Sequence, residues 1–133
     1  MTTFFDTSVL FAVLNDKEPY HTWSVSQLTT CKANGPVIIT DIVYCELSVG
    51  MANQTEVDAA ISTLALERYP GTDAMLFRAG KAFQQYRKNK GPKTNVLPDF
   101  LIGAAAEVAG APLVTANAKD FKTYFPGVML IQP

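Results

Sequence analysis

Two cysteines, one histidine and one tryptophan in 133 residues remove several chemistries at the outset. A secreted scaffold stapled by disulfides needs more cysteine, so Cys31 and Cys45, each inside an apolar-periodic segment, read as reduced thiols. A zinc centre needs histidines and cysteines at fixed spacing; His21 has no such companion and reads as a helix-start or surface residue. No apolar run approaches the roughly 18 residues that a membrane span requires, and no basic leader is visible, so a cytoplasmic protein with no membrane partner is expected. Net charge is scarce as well. A formal charge of -1 and a pI of about 5.7 exclude a protein that coats nucleic acid through bulk charge, so such a role would need a local patch. Repeats and linker-like tracts are missing, and Gly and Pro are scattered as turn signals. What the chain does have is apolar material: 48% hydrophobic and 11% aromatic residues exclude disorder and supply one core, hence one domain over residues 1–133.

Short apolar runs alternate with helical patterns. Thr3-Phe4-Phe5 predicts a strand running directly into Asp6-Thr7-Ser8, capping residue types that open a helix to Leu14. The pattern recurs at Val37-Ile38-Ile39, with Thr40-Asp41 opening a helix from about Ile42 to Ala52. Helices are predicted over Tyr20 to Cys31, Asn53 to Leu66 and Ala74 to Asn89, with Glu67 to Gly71 as an edge strand or loop. Asp99 to Ala109 is apolar almost all round, the mark of a buried helix ended by Gly110. Leu113-Val114-Thr115 and Val128 to Ile131 are the last strands, and Phe77, Phe83 and Tyr86 are expected in the core. This alternation predicts an α/β fold, three-layer α/β/α, with a mostly parallel central sheet.

Such sheets bind ligands beyond the carboxyl ends of their strands, and the residues there are acidic. Asp6 follows the first strand, Asp41 and Glu46 the second, Asn117 and Asp120 the one ending at Thr115, and Asp99 heads the buried helix. Glu46 lies three or four positions from Ile42, Val43, Val49 and Gly50, so it is expected to point inward with the apolar stripe. An unpaired buried carboxylate is costly, and no basic residue stands at i±3 or i±4 to neutralise it. A bound cation is the alternative. Three carboxylates in one crevice raise each other's pKa unless a divalent ion holds them ionised. Oxygen ligands suit magnesium or manganese rather than zinc, and such an ion acidifies water and stabilises charge on a phosphate. Plainer roles exist for each acid. Asp6 and Asp99 are also N-cap candidates, and Asp41 is most simply a first-turn acid outside the site.

Six basic residues and no acid stand between Arg78 and Lys93: Arg78, Lys81, Arg87, Lys88, Lys90 and Lys93. They form either a phosphate-facing patch or a solvated helix face. Arg87, Lys88, Lys90 and Lys93 lead straight toward Asp99, where a polyanion would need them.

These segments carry a resemblance. Asp6-Thr7-Ser8, Glu46 within Asp41-Ile42-Val43-Tyr44-Cys45-Glu46-Leu47, Asp99 within Leu97-Pro98-Asp99-Phe100-Leu101-Ile102-Gly103, and Leu113-Val114-Thr115-Ala116-Asn117 before Asp120-Phe121 resemble the PIN domain. More narrowly the chain is similar to the VapC toxins of toxin-antitoxin operons. The likeness runs over essentially the whole chain, in order. It implies a magnesium- or manganese-dependent endoribonuclease with Asp6, Glu46 and Asp99 as catalytic acids and metal ligands. Thr7, Ser8, Thr115 and Asp120 would support the site. Further implications are a structured RNA substrate such as tRNA or rRNA, cut in an unpaired loop, a homodimer, and a small cognate antitoxin whose tail enters the groove. One departure stands out: Asn117 occupies the position where the family commonly has a fourth acid. Its carbonyl oxygen can ligate or hold a water but adds no charge, which favours one metal over two. Two rivals remain, a weak or inactive PIN-shaped interaction module and a receiver-type signalling domain. Receivers need an acidic pair after the first strand and Lys-Pro after the last, where this chain has Asp6-Thr7 and Ile131-Gln132-Pro133.

Overall fold

A computed structural model describes residues 1–133. In chain order the elements are β1 (Thr3–Phe5), α1 (Thr7–Leu14), α2 (His21–Asn34), β2 (Val37–Thr40), α3 (Asp41–Val49), α4 (Gln54–Thr63), β3 (Glu67–Tyr69), α5 (Asp73–Lys88), α6 (Leu97–Ala109), β4 (Leu113–Val114), α7 (Lys119–Tyr124) and β5 (Leu130–Ile131). The strands form one sheet in the order β3-β2-β1-β4-β5, and every pairing is parallel. Phe4 sits at its centre, paired with Ile38 on one side and Leu113 on the other. β1 and β2 are buried along their whole length, as strands covered by helices on both faces must be. This is the three-layer α/β/α arrangement expected. The strand order also sets the molecule apart from receivers, whose order is 2-1-3-4-5.

The core is one cluster of 27 buried residues, with Phe4, Phe5, Leu10, Ile39, Phe100 and Ile102 among its sealed side chains. α5 is amphipathic and buries Met75, Ala79, Ala82 and Tyr86, spaced to lie along one face; it packs chiefly on α6. α6 is buried from Ile102 to Ala106. A Cβ on Gly103 would stand 2.6 Å from the Phe125 ring, so only glycine lets α6 approach that closely. Gly110, at φ 66, closes the helix in the left-handed conformation. No helix is long and apolar enough to cross a membrane.

Several details differ from expectation. α6 begins at Leu97 with Pro98 in its first turn, because a helix start does not need that N–H. The buried line of α3 is Val43 and Leu47, while Val49 is 87% exposed. The helix is therefore turned by about one residue, roughly 100°, from the expected phase, and Glu46 comes out half-buried at its edge. The same rotation exposes Cys45. Phe77, expected in the core, is 69% exposed with the Lys81 ammonium over its ring, whereas Tyr86 is buried and Phe83 partly so.

Candidate active site

The chain passes from β1 into α1 at Asp6, which is 4% exposed. Its backbone is extended and it occupies the N-cap position, but its side chain makes no capping hydrogen bond. Instead Oδ2 accepts from Thr115 Oγ1 at 2.7 Å and from Ser8 Oγ at 3.0 Å. Those two hydroxyls are themselves fixed from the end of β4. Thr115 Oγ1 accepts the Asn117 N–H at 3.0 Å and Ser8 Oγ the Ala116 N–H at 3.4 Å. Burial pushes the Asp6 carboxyl above its ordinary value, and the Thr115 and Ser8 hydrogen bonds pull it back in part. Both hydroxyls use one oxygen, which leaves Oδ1 without a side-chain donor.

Glu46 reaches the same crevice from α3. Its Oε1 accepts from Thr7 Oγ1 at 2.7 Å, so consecutive residues of the β1–α1 junction orient one acid and bind another. Asp99 arrives from the first turn of α6, whose N-cap is Val96; it is not the cap. Its carboxyl is pushed from 3.8 up to about 7, first by burial, then by the charges of Asp6 and Glu46 and, more weakly, Asp120, against the pull of Lys93. The three acids therefore share one electrostatic field. They do not close into a ready-made clamp, for no three His, Cys, Asp or Glu side chains form a group able to grip one ion as they stand. The donor chemistry nonetheless fits a hard divalent cation. The acids offer carboxylate oxygens, with hydroxyls behind them, and Cys45 is the neighbouring sulfur that α3 turns outward.

The rim is organised by the loop between α5 and α6. Lys93 Nζ donates to Asp120 Oδ2 at 2.8 Å, and that bond foremost holds its ammonium above the ordinary value. The Lys93 N–H donates to the Tyr86 hydroxyl at 2.9 Å, and Tyr86 packs edge-on against Phe100 and Tyr124. Reading Tyr86 only as core missed this second duty; the phenol of a buried tyrosine, which needs a partner, was the available signal. Asn117 is exposed and Asp120 half-buried.

The basic run divides. Arg78 is structural: it pairs with Glu107 at 2.5 Å, donates to the Tyr124 carbonyl at 2.7 Å and lies over the Phe125 ring. Arg87, Lys88 and Lys90 are exposed, Arg87 with its guanidinium near the Phe83 ring, and of the run only Lys93 acts on the acids. Asp41 pairs with Arg68. His21 opens α2 with its Nδ1 2.7 Å from the Ala12 carbonyl.

The PIN domain family model matches residues 3–124, and the chain belongs to that family. Its fold is the one seen in VapBC assemblies. It is similar to a chain of VapBC2 from Rickettsia felis, bound there to a fragment of promoter DNA, with TM-score 0.77 and 22% identity over 99% of this chain and 98% of that one. For VapBC-1 from nontypeable Haemophilus influenzae the values are 0.73 and 23%, over 99% and 98%. For Mycobacterium tuberculosis VapC20, described as a sarcin-ricin loop cleaving toxin, they are 0.61 and 16%, over 91% and 93%. No curated protein sequence matches the chain.

Proposed function

We propose that the protein is a metal-dependent endoribonuclease, the toxin of a toxin-antitoxin pair. The observation that carries this reading is Asp99, raised to about 7 by burial and by the charges of Asp6 and Glu46: three acids from three elements act on one crevice at the strand ends. Asp6, Glu46 and Asp99 would hold magnesium or manganese through carboxylate oxygens. When bound, the ion supplies an acidified water and neutralises charge on the phosphodiester. Thr115 and Ser8 orient Asp6, and Thr7 orients Glu46. Lys93, with Arg87, Lys88 and Lys90 beyond it, holds the RNA backbone by charge. Asn117 contributes a neutral oxygen and, through its N–H, fixes the hydroxyl that orients Asp6.

The likeness to toxin-antitoxin complexes and to a sarcin-ricin loop cleaving toxin supports a cognate antitoxin partner and a folded RNA substrate with an unpaired loop. A homodimer belongs to the same reading. The test is incubation of purified protein with structured RNA and manganese. Cleavage that disappears with EDTA and with Asp99→Asn, in a variant that still folds, is the expected result; cleavage that survives both refutes the assignment. A second reading, a PIN-shaped module with little activity, draws on the neutral Asn117 and on the acids' failure to close into a clamp. It predicts a folded protein that leaves RNA intact.

A further inference from the structure

The loop between α5 and α6 is fastened to one residue at three points. Tyr86, buried near the end of α5, accepts the Gly91 N–H with its carbonyl at 3.0 Å and the Lys93 N–H with its hydroxyl at 2.9 Å. Between those bonds its ring lies against Gly91, where a Cβ would stand 2.2 Å from two ring carbons, so only glycine passes there. The ring has no room to yield, for it packs edge-on against Phe100 and Tyr124. Pro92, with its φ locked at about −65°, joins the two anchored residues. Asn89 adds a tie of its own, from Nδ2 to the Tyr124 hydroxyl at 3.1 Å. The fastening ends at the one basic residue of the run whose charge reaches Asp99. Lys93 Nζ donates to Asp120 Oδ2 at 2.8 Å; the lysine side chain is 42% exposed and that of Asp120 only 14%. An ammonium has three N–H donors. Asp120 takes one, which leaves two for a ligand.

We propose that Tyr86 is a positioning residue for RNA binding: it holds the Lys93 backbone while Asp120 holds the tip, and so presets the Lys93 ammonium to take a phosphate of a strand lying in the acidic crevice. The assignment rests on the ribonuclease reading and adds to it a residue buried behind the site. A lysine on a flexible stem ordinarily loses rotamer freedom when it grips an anion. Here both ends of the side chain are held before the anion arrives. The plainer role for the Tyr86 hydroxyl is to fasten the loop and nothing more. That role makes a distinct prediction, because the hydroxyl bonds to the backbone N–H of Lys93 and not to its side chain. Loss of a mere fastening would act whether or not the ammonium is present, whereas loss of a positioning bond acts only through the ammonium.

The test measures binding without cleavage, by fluorescence anisotropy in EDTA over a range of salt, with a short RNA hairpin that carries an unpaired loop and with circular dichroism to check each variant's fold. Lys93→Met removes the ammonium and keeps the bond to Tyr86. It should weaken the RNA about tenfold, the worth of a hydrogen bond to a charged group, and lower the salt slope by about one, the share of a single phosphate. Tyr86→Phe keeps the ring and deletes the hydroxyl. It should weaken the RNA about two- to tenfold, the cost of ordering one long side chain anew, and Gly91→Ala, which forces the loop off the ring, should act in the same direction. In the Lys93→Met background neither change should weaken the RNA further. A folded Tyr86→Phe with unchanged affinity overturns the positioning role, and so does a loss of equal size with and without the ammonium. An unchanged salt slope in Lys93→Met overturns it as well. Wild type that binds no RNA refutes the ribonuclease reading and the proposal together, whereas binding without the coupling refutes the positioning role alone.

Discussion

Removing one charge from the acidic crevice should make the metal-free protein more stable. Asp99 has its carboxyl moved from 3.8 to about 7, which corresponds to about 4 kcal/mol between its two protonation states. The group is half-buried rather than sealed, so solvent screening reduces the usable part to about 2 kcal/mol. The folded state binds this proton more tightly than the unfolded chain does. Asp99 therefore has no effect below about pH 3.8, erodes stability as pH rises toward 7, and exerts its full penalty above that. Asn at position 99 removes the penalty and forfeits the helix-dipole benefit of a first-turn anion, about 0.3–1 kcal/mol, so the combined cost of burial and repulsion wins. Urea unfolding in EDTA should find Asp99→Asn more stable than wild type by about 1–2 kcal/mol at pH 8 and equal to it near pH 3.5. Saturating manganese should reverse the order at pH 8, since a ligand at a hundredfold excess over its Kd adds about 2.7 kcal/mol to the form that binds it. Equal stabilities at pH 8 without metal, or a less stable variant, would refute the claim that burial and the neighbouring acids penalise the Asp99 charge.

Two further substitutions probe the surroundings. Arg78→Ala leaves Glu107 half-buried without its partner and frees the Tyr124 carbonyl, so thermal or urea unfolding should register a loss of about 2 kcal/mol, while the RNA cleavage rate stays unchanged; a selective loss of cleavage would place Arg78 at the substrate after all. Lys90 is a non-glycine at φ 57, where the Gly91 N–H closes back on the Tyr86 carbonyl. Lys90→Gly should therefore stabilise the protein by about 1 kcal/mol and weaken RNA binding if that ammonium holds the backbone, an outcome that denaturation and anisotropy together decide.

Much of the fold was legible because its signals are local. Thr3-Phe4-Phe5 running into Asp6-Thr7-Ser8 read as a strand-to-helix junction, and the almost wholly apolar length from Asp99 to Ala109 read as a buried helix. Helix phase was less legible, and α3 explains why. Val43, Leu47 and Val49 are equally apolar, yet only the first two face the core. Nine residues give two and a half turns, too few for periodicity to separate a stripe centred on Val43 and Leu47 from one that includes Glu46. Phe77 failed for a related reason: a helix packed on one neighbour has a free face, and an aromatic residue can stand there with a lysine over it.

The candidate site could be assembled from the sequence as a set of residues and not as a geometry. Strand ends identify which acids share an edge, but the hydroxyls that aim them come from sequence-distant positions, as with Thr115 and Asp6, 109 residues apart. That pairing exists only because β1 lies beside β4 in the sheet, a consequence of winding that no local pattern encodes. The same winding explains how the crevice tolerates its charge. Thr115 and Ser8 share one oxygen of Asp6, Thr7 takes one of Glu46, and Lys93 draws on Asp99 from the side. Each contact offsets part of the repulsion while leaving other carboxylate oxygens open. A fold selected for stability alone would neutralise these acids with bases. That the only cation acting on Asp99 is bonded to Asp120 at the rim argues that the charge is kept for a ligand.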